Sequence, residues 1–194
     1  MRYPAAHKDD TRARIVRAAA RRFRRDGPDR TAIGDLMGDL RLTHGGFYRH
    51  FRGKDELFGE ALAEALTEVS LRLERVALAA PEGSRAQAIV DAYLSPEHLA
   101  DVAGGCPVAA LASDLSRAGR SLHGTAFEAA GREHIGRMAN YLPGDTLDGR
   151  CRTARVLFSG MAGTMAMTRA LADPKRQQDA LAAARRFYRA ALGL

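Results

Sequence analysis

The chain has 194 residues, 46% of them hydrophobic, enough for one sizeable core or two small ones and too apolar for wholesale disorder. Aromatics reach only 6%, tryptophan is absent, and seven prolines punctuate stretches rich in alanine, leucine and arginine, a composition that favours an all-α fold. The net charge of +7 is concentrated in residues 1–60, which hold 14 Lys and Arg against 9 Asp and Glu; it marks either a phosphate-binding module or an arginine-rich solvated surface (27 Arg, 3 Lys).

Residues 1–9 show no periodicity and are expected to form a loose arm; no apolar segment there resembles an export signal. A first helix should start near Asp10 or Thr11 and run to about Arg25, burying Ile15, Ala19 and Phe23 at four-residue spacing. "DGPDRT" breaks it, with Gly27 as terminator and Thr31 placed to cap a second helix over 32–39 that buries Ile33, Leu36 and Met37. After a turn at 40–42, Thr43 caps a third helix ending near His50 or Phe51. A long helix from Asp55 to Ala79 follows, then "APEGS", then helices over about 85–94, 107–117, 121–142, 147–171 and 174–192.

Two short helices joined by a tight turn outline a helix-turn-helix, whose second helix enters the major groove. In "LTHGGFYRHF", the glycines of a first turn made of His44, Gly45 and Gly46 let the backbone come close to base edges. Phe47 and Phe51 share a face and should brace the helix on the core, while Tyr48, Arg49, His50 and Lys54 can reach phosphates. Thr31 and Thr43 add helix N-termini, and His44 is the candidate base contact. An ordinary solvated helix face is the competing reading of each residue taken alone.

Residues 11–62, above all "TRARIVRAAARRFRRDGPDRTAIGDLM" and "LTHGGFYRHFRGKDELF", resemble the DNA-binding domain of the TetR family of bacterial transcriptional repressors. The recurring positions of that family match Thr43, Tyr48, His50, Phe51 and Lys54, whereas its usual turn glycine is Arg41 here. The resemblance implies a helix-turn-helix DNA-binding domain over 10–54 and a helical ligand-binding and dimerisation domain over 55–194. It further implies a homodimeric repressor on a palindromic double-stranded DNA operator, released by a small-molecule inducer.

"GGCPVAALASDLSR", residues 104–117, resembles a segment found in one branch of that family. Proline after Cys106 puts the sulfur beside a helix N-terminus, where a thiolate is favoured; Cys106 is thus either an electrophile sensor or a small buried core residue. Apolar position makes Leu66, Tyr93, Leu94, Leu111, Phe127 and Tyr141 candidates for lining a ligand cavity, with plain core packing as the alternative. In the family the last two long helices pair with those of a second copy. Gly160 and Gly163 would permit close approach, and Leu157, Phe158, Met161, Met165, Leu181, Ala184 and Phe187 would supply contact, unless they face an internal core.

His98, His123 and His134 lack metal-ligand spacing, and no nucleophile elbow, P-loop or dinucleotide fingerprint occurs, so neither a metal, a cofactor nor catalysis is expected. Cys106 and Cys151 are expected as free thiols. No uncharged run reaches the ~20 residues of a membrane span, and the expectation is a cytoplasmic protein without membrane partners. Two rivals are a sequence-indifferent architectural DNA binder and a small helical enzyme.

Overall fold

The structure, a computed structural model, describes the backbone of residues 5–117 and 119–194 and the side chains of residues 9–117 and 126–194. Every regular element among the described residues is helical: α1 (Ala5–Asp26), α2 (Ile33–Asp39), α3 (His44–Phe47), α4 (Lys54–Ala79), α5 (Arg85–Tyr93), α6 (Pro96–Ala100), α7 (Pro107–Arg117), α8 (Gly119–Ala139), α9 (Leu147–Arg169) and α10 (Pro174–Ala191). A single 3₁₀ turn, Glu82–Ser84, separates α4 from α5.

α1 begins at Ala5 rather than Asp10, so the expected arm is helical from its fifth residue. The helix buries Ile15, Ala19 and Phe23, and stops at Gly27, which adopts φ +82° and donates its N–H to the Phe23 carbonyl at 2.9 Å. That left-handed terminator suits glycine. The same geometry recurs at the end of α2 with a less suitable residue. Leu42 N–H bonds Met37 O and Arg41 N–H bonds Gly38 O, both at 2.9 Å, which is a Schellman closure with Arg41 in the left-handed position at φ +58°. This conformation costs about 1–2 kcal/mol for a residue with a Cβ. α6 was absent from the sequence expectation; Ser95 caps it by accepting from His98 N at 3.1 Å, with Pro96 in its first turn.

Two apolar clusters meet along α4. The N-terminal one joins Ile15, Ala19 and Phe23 to Leu36, Met37, Phe47, Phe51, Leu57 and Phe58. The C-terminal one begins at Leu66 and Val69 and gathers Tyr93, Leu94, Cys106, Met138, Phe158, Met161 and Met165. The expected break at residues 54 and 55 falls at the start of α4, yet Leu57 through Ala65 fill the N-terminal core. α7 also divides its loyalty, because a non-helical Leu111 (φ −128°) turns into the N-terminal cluster while Ala109 stays in the other.

One buried cation ties the clusters together. Arg24, on α1, is 3% exposed and donates to Ala20 O (3.0 Å), Gly105 O (2.9 Å) and Glu68 Oε2 (2.9 Å). Arg72 donates to Gly104 O and Arg169 to His98 O and Leu99 O, so arginines from α1, α4 and α9 hold the backbone around 98–105 by its carbonyls. The packing is tight: a Cβ on Gly105 would lie 2.5 Å from Asp101 O. Charge-assisted bonds to buried carbonyls are among the stronger kinds and satisfy groups that would otherwise be desolvated without partners.

Candidate nucleic-acid interface

Within α3 and the turn after it, the chain sorts rings inward and polar groups outward. Phe47 (0% exposed) and Phe51 (2%) stack at 5.3 Å between ring centroids, and the Arg12 guanidinium lies 4.6 Å from the Phe51 centroid. Each fully buried ring contributes on the order of 1.5–3 kcal/mol. α3 itself ends at Phe47, shorter than expected, and is prolonged by turn bonds from Arg49 N to Gly46 O and from His50 N to Phe47 O.

Thr43 caps α3, its hydroxyl accepting from Gly46 N at 3.2 Å. Thr43, His44, Gly45, Tyr48 and Arg49 form one exposed face, with Tyr48 62% accessible and its ring 5.9 Å from that of His44. The two glycines have different reasons. A Cβ on Gly45 meets nothing within 4 Å, whereas one on Gly46 would lie 3.2 Å from Thr43 Oγ1 and 3.8 Å from Met37 Cε. Gly46 serves the packing of α3 on α2; Gly45 leaves its outer surface flat.

Three of the expected residues stand elsewhere. Thr31 is fully buried, and its hydroxyl donates to Gly27 O at 2.8 Å; Ala32, not Thr31, occupies the N-cap of α2. The turn after α1 needed that hydroxyl internally. Half-buried Lys54 lines a cleft of about 260 Å³ with Asp29, Asp55, Asp114 and Arg117, and half-buried His50 lies against Phe51 at 6.4 Å. Sequence reasoning had not placed Arg41 on the interface, although it is exposed two residues ahead of Thr43. Its signal was the missing glycine.

The expected ligand and sensor residues do not converge on one cavity. Leu66, Tyr93, Leu94 and Cys106 are buried in the C-terminal cluster, Leu111 lies in the N-terminal one, and half-buried Phe127 touches both. Tyr141 borders a void of only about 10 Å³ and donates to Glu74 at 3.4 Å. That volume is about one water. Cys106 does precede α7, yet it is fully buried, and burial pushes its thiol up despite the opposing effect of Tyr93 and the N–H groups of Val108 and Ala109. Desolvation outweighs the helix end, which corrects the expectation of a stabilised thiolate. Cys151 is also unpaired, while His123 lies outside the residues whose side chains are described.

The geometry around Cys106 fixes a proton. Its backbone N–H donates to His98 Nε2 at 3.0 Å, so Nε2 is bare and His98 Nδ1–H donates to Tyr93 O at 2.6 Å. Burial lowers the His98 pKa to about 4, and Arg72 and Arg169 push the same way. His134 is likewise buried, with its pKa lowered to about 4 by burial alone, and neither ring nitrogen has a hydrogen-bond partner. The Tyr93 hydroxyl lies beside the Cys106 thiol but falls short of hydrogen-bond geometry, leaving it unpartnered too. Both rings pack edge-on against Phe158, at 6.0 Å for Tyr93 and 4.4 Å for His134.

Of the expected pairing residues, Leu157, Phe158, Met161, Met165 and Leu181 are buried in the chain's own core, and half-buried Ala184 packs on it. A Cβ on Gly160 would lie 2.4 Å from Tyr188 Oη, so this glycine seats α10 of the same chain. Gly163 and Phe187 are exposed, as are Val156 (74%) and Met167 (71%), which the sequence reading had not singled out; on α9, positions 156, 163 and 167 share one outward face. No described helix is long and apolar enough to cross a membrane, and no metal-holding group occurs among the described residues.

A three-helix core presenting a short, capped helix with an exposed polar face defines a helix-turn-helix module. Residues 15–61 match the model of the bacterial regulatory proteins of the tetR family. The uncharacterized HTH-type transcriptional regulator YfiR of Bacillus subtilis is 31% identical over 99 residues, 50% of this chain and 46% of its own. The HTH-type transcriptional regulator TtgR of Pseudomonas putida is 39% identical over 66 residues, 34% of this chain and 31% of its own. The chain therefore spans less than half the length of these curated relatives. A solved TetR-family regulator of Mesorhizobium loti shares the fold over 97% of this chain and 98% of its own, with a TM-score of 0.63 at 17% identity. Residues 15–61 thus carry the N-terminal domain of tetR-family regulators, and the chain as a whole shares the fold of a solved member.

Proposed function

We propose that the chain is a transcriptional regulator that binds duplex DNA through residues 10–54 and acts, as a homodimer, as a ligand-released repressor of a palindromic operator. One observation carries this reading: the family match at 15–61 coincides with a short helix and following turn whose rings Phe47 and Phe51 are buried while Thr43, His44, Gly45, Tyr48 and Arg49 stay exposed. His44 supplies the base contact and Tyr48 and Arg49 hold phosphates.

Supporting the second half, residues 55–194 offer two things. The outward face of α9 at Val156, Gly163 and Met167 is apolar, as is the exposed Phe187 of α10, and these suit a second copy. The unpartnered Tyr93 hydroxyl and His134 nitrogens would be satisfied by an uncharged molecule carrying both a donor and an acceptor. Arg24 then links such a ligand to the reader, because Gly105, which it grips, adjoins Cys106 and, through His98, Tyr93. A coupling of about 1–3 kcal/mol corresponds to roughly 5- to 150-fold weaker DNA binding.

Enrichment of bound duplexes from a random pool tests the core of the reading. The full chain should prefer its enriched sequence by about 10³-fold or more over random duplex at fixed salt. The His44→Ala, Tyr48→Ala double variant should lose that preference while keeping its melting temperature. Equal affinity for all duplexes would instead establish the architectural binder.

A further inference from the structure

Arg41 is the one described non-glycine residue with a left-handed backbone, at φ +58°. Arginine has no local use for that conformation; it lacks the short carboxamide or carboxylate with which asparagine and aspartate stabilise it. The closure of α2 uses only its backbone N–H, donated to Gly38 O, so glycine would serve the turn with less strain. The side chain must therefore gain something that the isolated chain does not show. It is exposed, and no ion pair with it forms among the described residues. Both carboxylates of α2 are held by another residue, Arg22, whose guanidinium reaches Asp39 at 2.6 Å and Asp35 at 3.7 Å. A free guanidinium is thus mounted on a rigid, strained turn, beside the exposed cap Thr43 and the exposed His44.

We infer that Arg41 is a phosphate-binding positioning residue: its guanidinium clamps a backbone phosphate of the duplex and sets the register of α3, at the expense of the stability of the free protein. This inference rests on the DNA-binding reading above. A planar, bidentate donor fits a phosphate better than an ammonium does, and strain held at such a site is a recognised form of preorganisation. Phosphate contact carries no sequence information of its own, so the effect is on affinity and pose.

The test compares the full-length wild type with Arg41→Gly and Arg41→Lys on the enriched duplex and on random duplex, across about 50–200 mM salt. Arg41→Gly should melt about 2–4 °C higher. It should nonetheless bind both duplexes about tenfold more weakly, with the slope of log K against log salt reduced by about 0.9 for each bound copy. Arg41→Lys should keep the wild-type slope and the lower melting temperature. Wild-type affinity and slope in Arg41→Gly would overturn the inference, as would a loss confined to the enriched duplex, or a melting temperature that does not rise. If the wild type itself binds no duplex, the DNA-binding reading falls, an outcome distinct from all of these.

Discussion

Around α3 the N-terminal core takes in Phe23, Phe47, Phe51 and Phe58 and leaves Tyr48 and Arg49 to solvent; the C-terminal core takes Tyr93, His98 and His134 inside. The contrast concerns where each half keeps its chemistry. In the first, the residues that hold the fold and those that would meet a partner are neighbours in sequence but separate in space, so one set can change without the other. In the second, polar groups are packed among apolar ones, two of them without a hydrogen-bond partner, so stability and response fall on the same side chains.

The separation in the N-terminal half is most sharply probed at adjacent positions. Phe47→Ala removes a fully buried ring stacked on Phe51 and should destabilise the chain by about 3–5 kcal/mol. Tyr48→Ala, one residue on and largely exposed, should stay within about 0.5 kcal/mol. Denaturant unfolding of the two variants measures both. Equal losses would mean that the two faces of α3 are not distinct, and the comparison would break.

Acid sharpens the other side. His98 and His134 have folded pKa values of about 4, below the ordinary 6.5. A depressed histidine contributes its stability in the neutral form, so that contribution is complete above pH 6.5, shrinks as pH falls, and is gone below about 4. The displacement corresponds to roughly 3 kcal/mol for each ring. Carboxylates contribute to acid unfolding as well, which is why a difference between variants is the informative quantity. His134→Leu removes two unpartnered nitrogens and should stabilise the chain by about 1–3 kcal/mol at pH 7. Its advantage over wild type should widen by roughly 3 kcal/mol between pH 6.5 and 4. A constant advantage across that range would show that His134 is not held neutral by burial.

What could be seen in the sequence follows the same division. The N-terminal helices, the Thr43 cap and the inward pair Phe47 and Phe51 are local: each depends on spacing and end chemistry within a dozen residues. α6 had a comparable signal, Ser95 followed by Pro96, but five residues carry too little periodicity to stand out. Thr31 misled because a threonine before a helix can cap it or, as here, close the preceding turn onto Gly27. In the C-terminal half the deciding contacts are distant. The depth of Cys106 depends on Arg24, Arg72 and Arg169, drawn from three helices, and nothing near Cys106 in the chain announces them. The apolar stripe of α9 was legible as a stripe; which neighbour it faces, the chain's own core or a second copy, is set by α10 and Tyr188.

The smallest effect bears on the doublet at the heart of the reader. Glycine inside a helix costs about 1 kcal/mol relative to alanine, so Gly45→Ala, with open space for its Cβ, should stabilise the chain by up to that amount. Gly46→Ala brings its Cβ to 3.2 Å from the Thr43 hydroxyl that caps the helix, so the same propensity gain is offset by loss or displacement of the cap, a contact of similar worth. Unfolding measurements should therefore separate two substitutions that are chemically identical and one residue apart. On DNA the gain at position 45 should turn into a loss: a methyl there sits on the exposed face and blocks close approach, so the more stable variant should bind the enriched duplex less tightly than wild type. Wild-type affinity in Gly45→Ala would mean that this face of α3 never comes near a duplex, and that Gly45 is there for no purpose the fold explains.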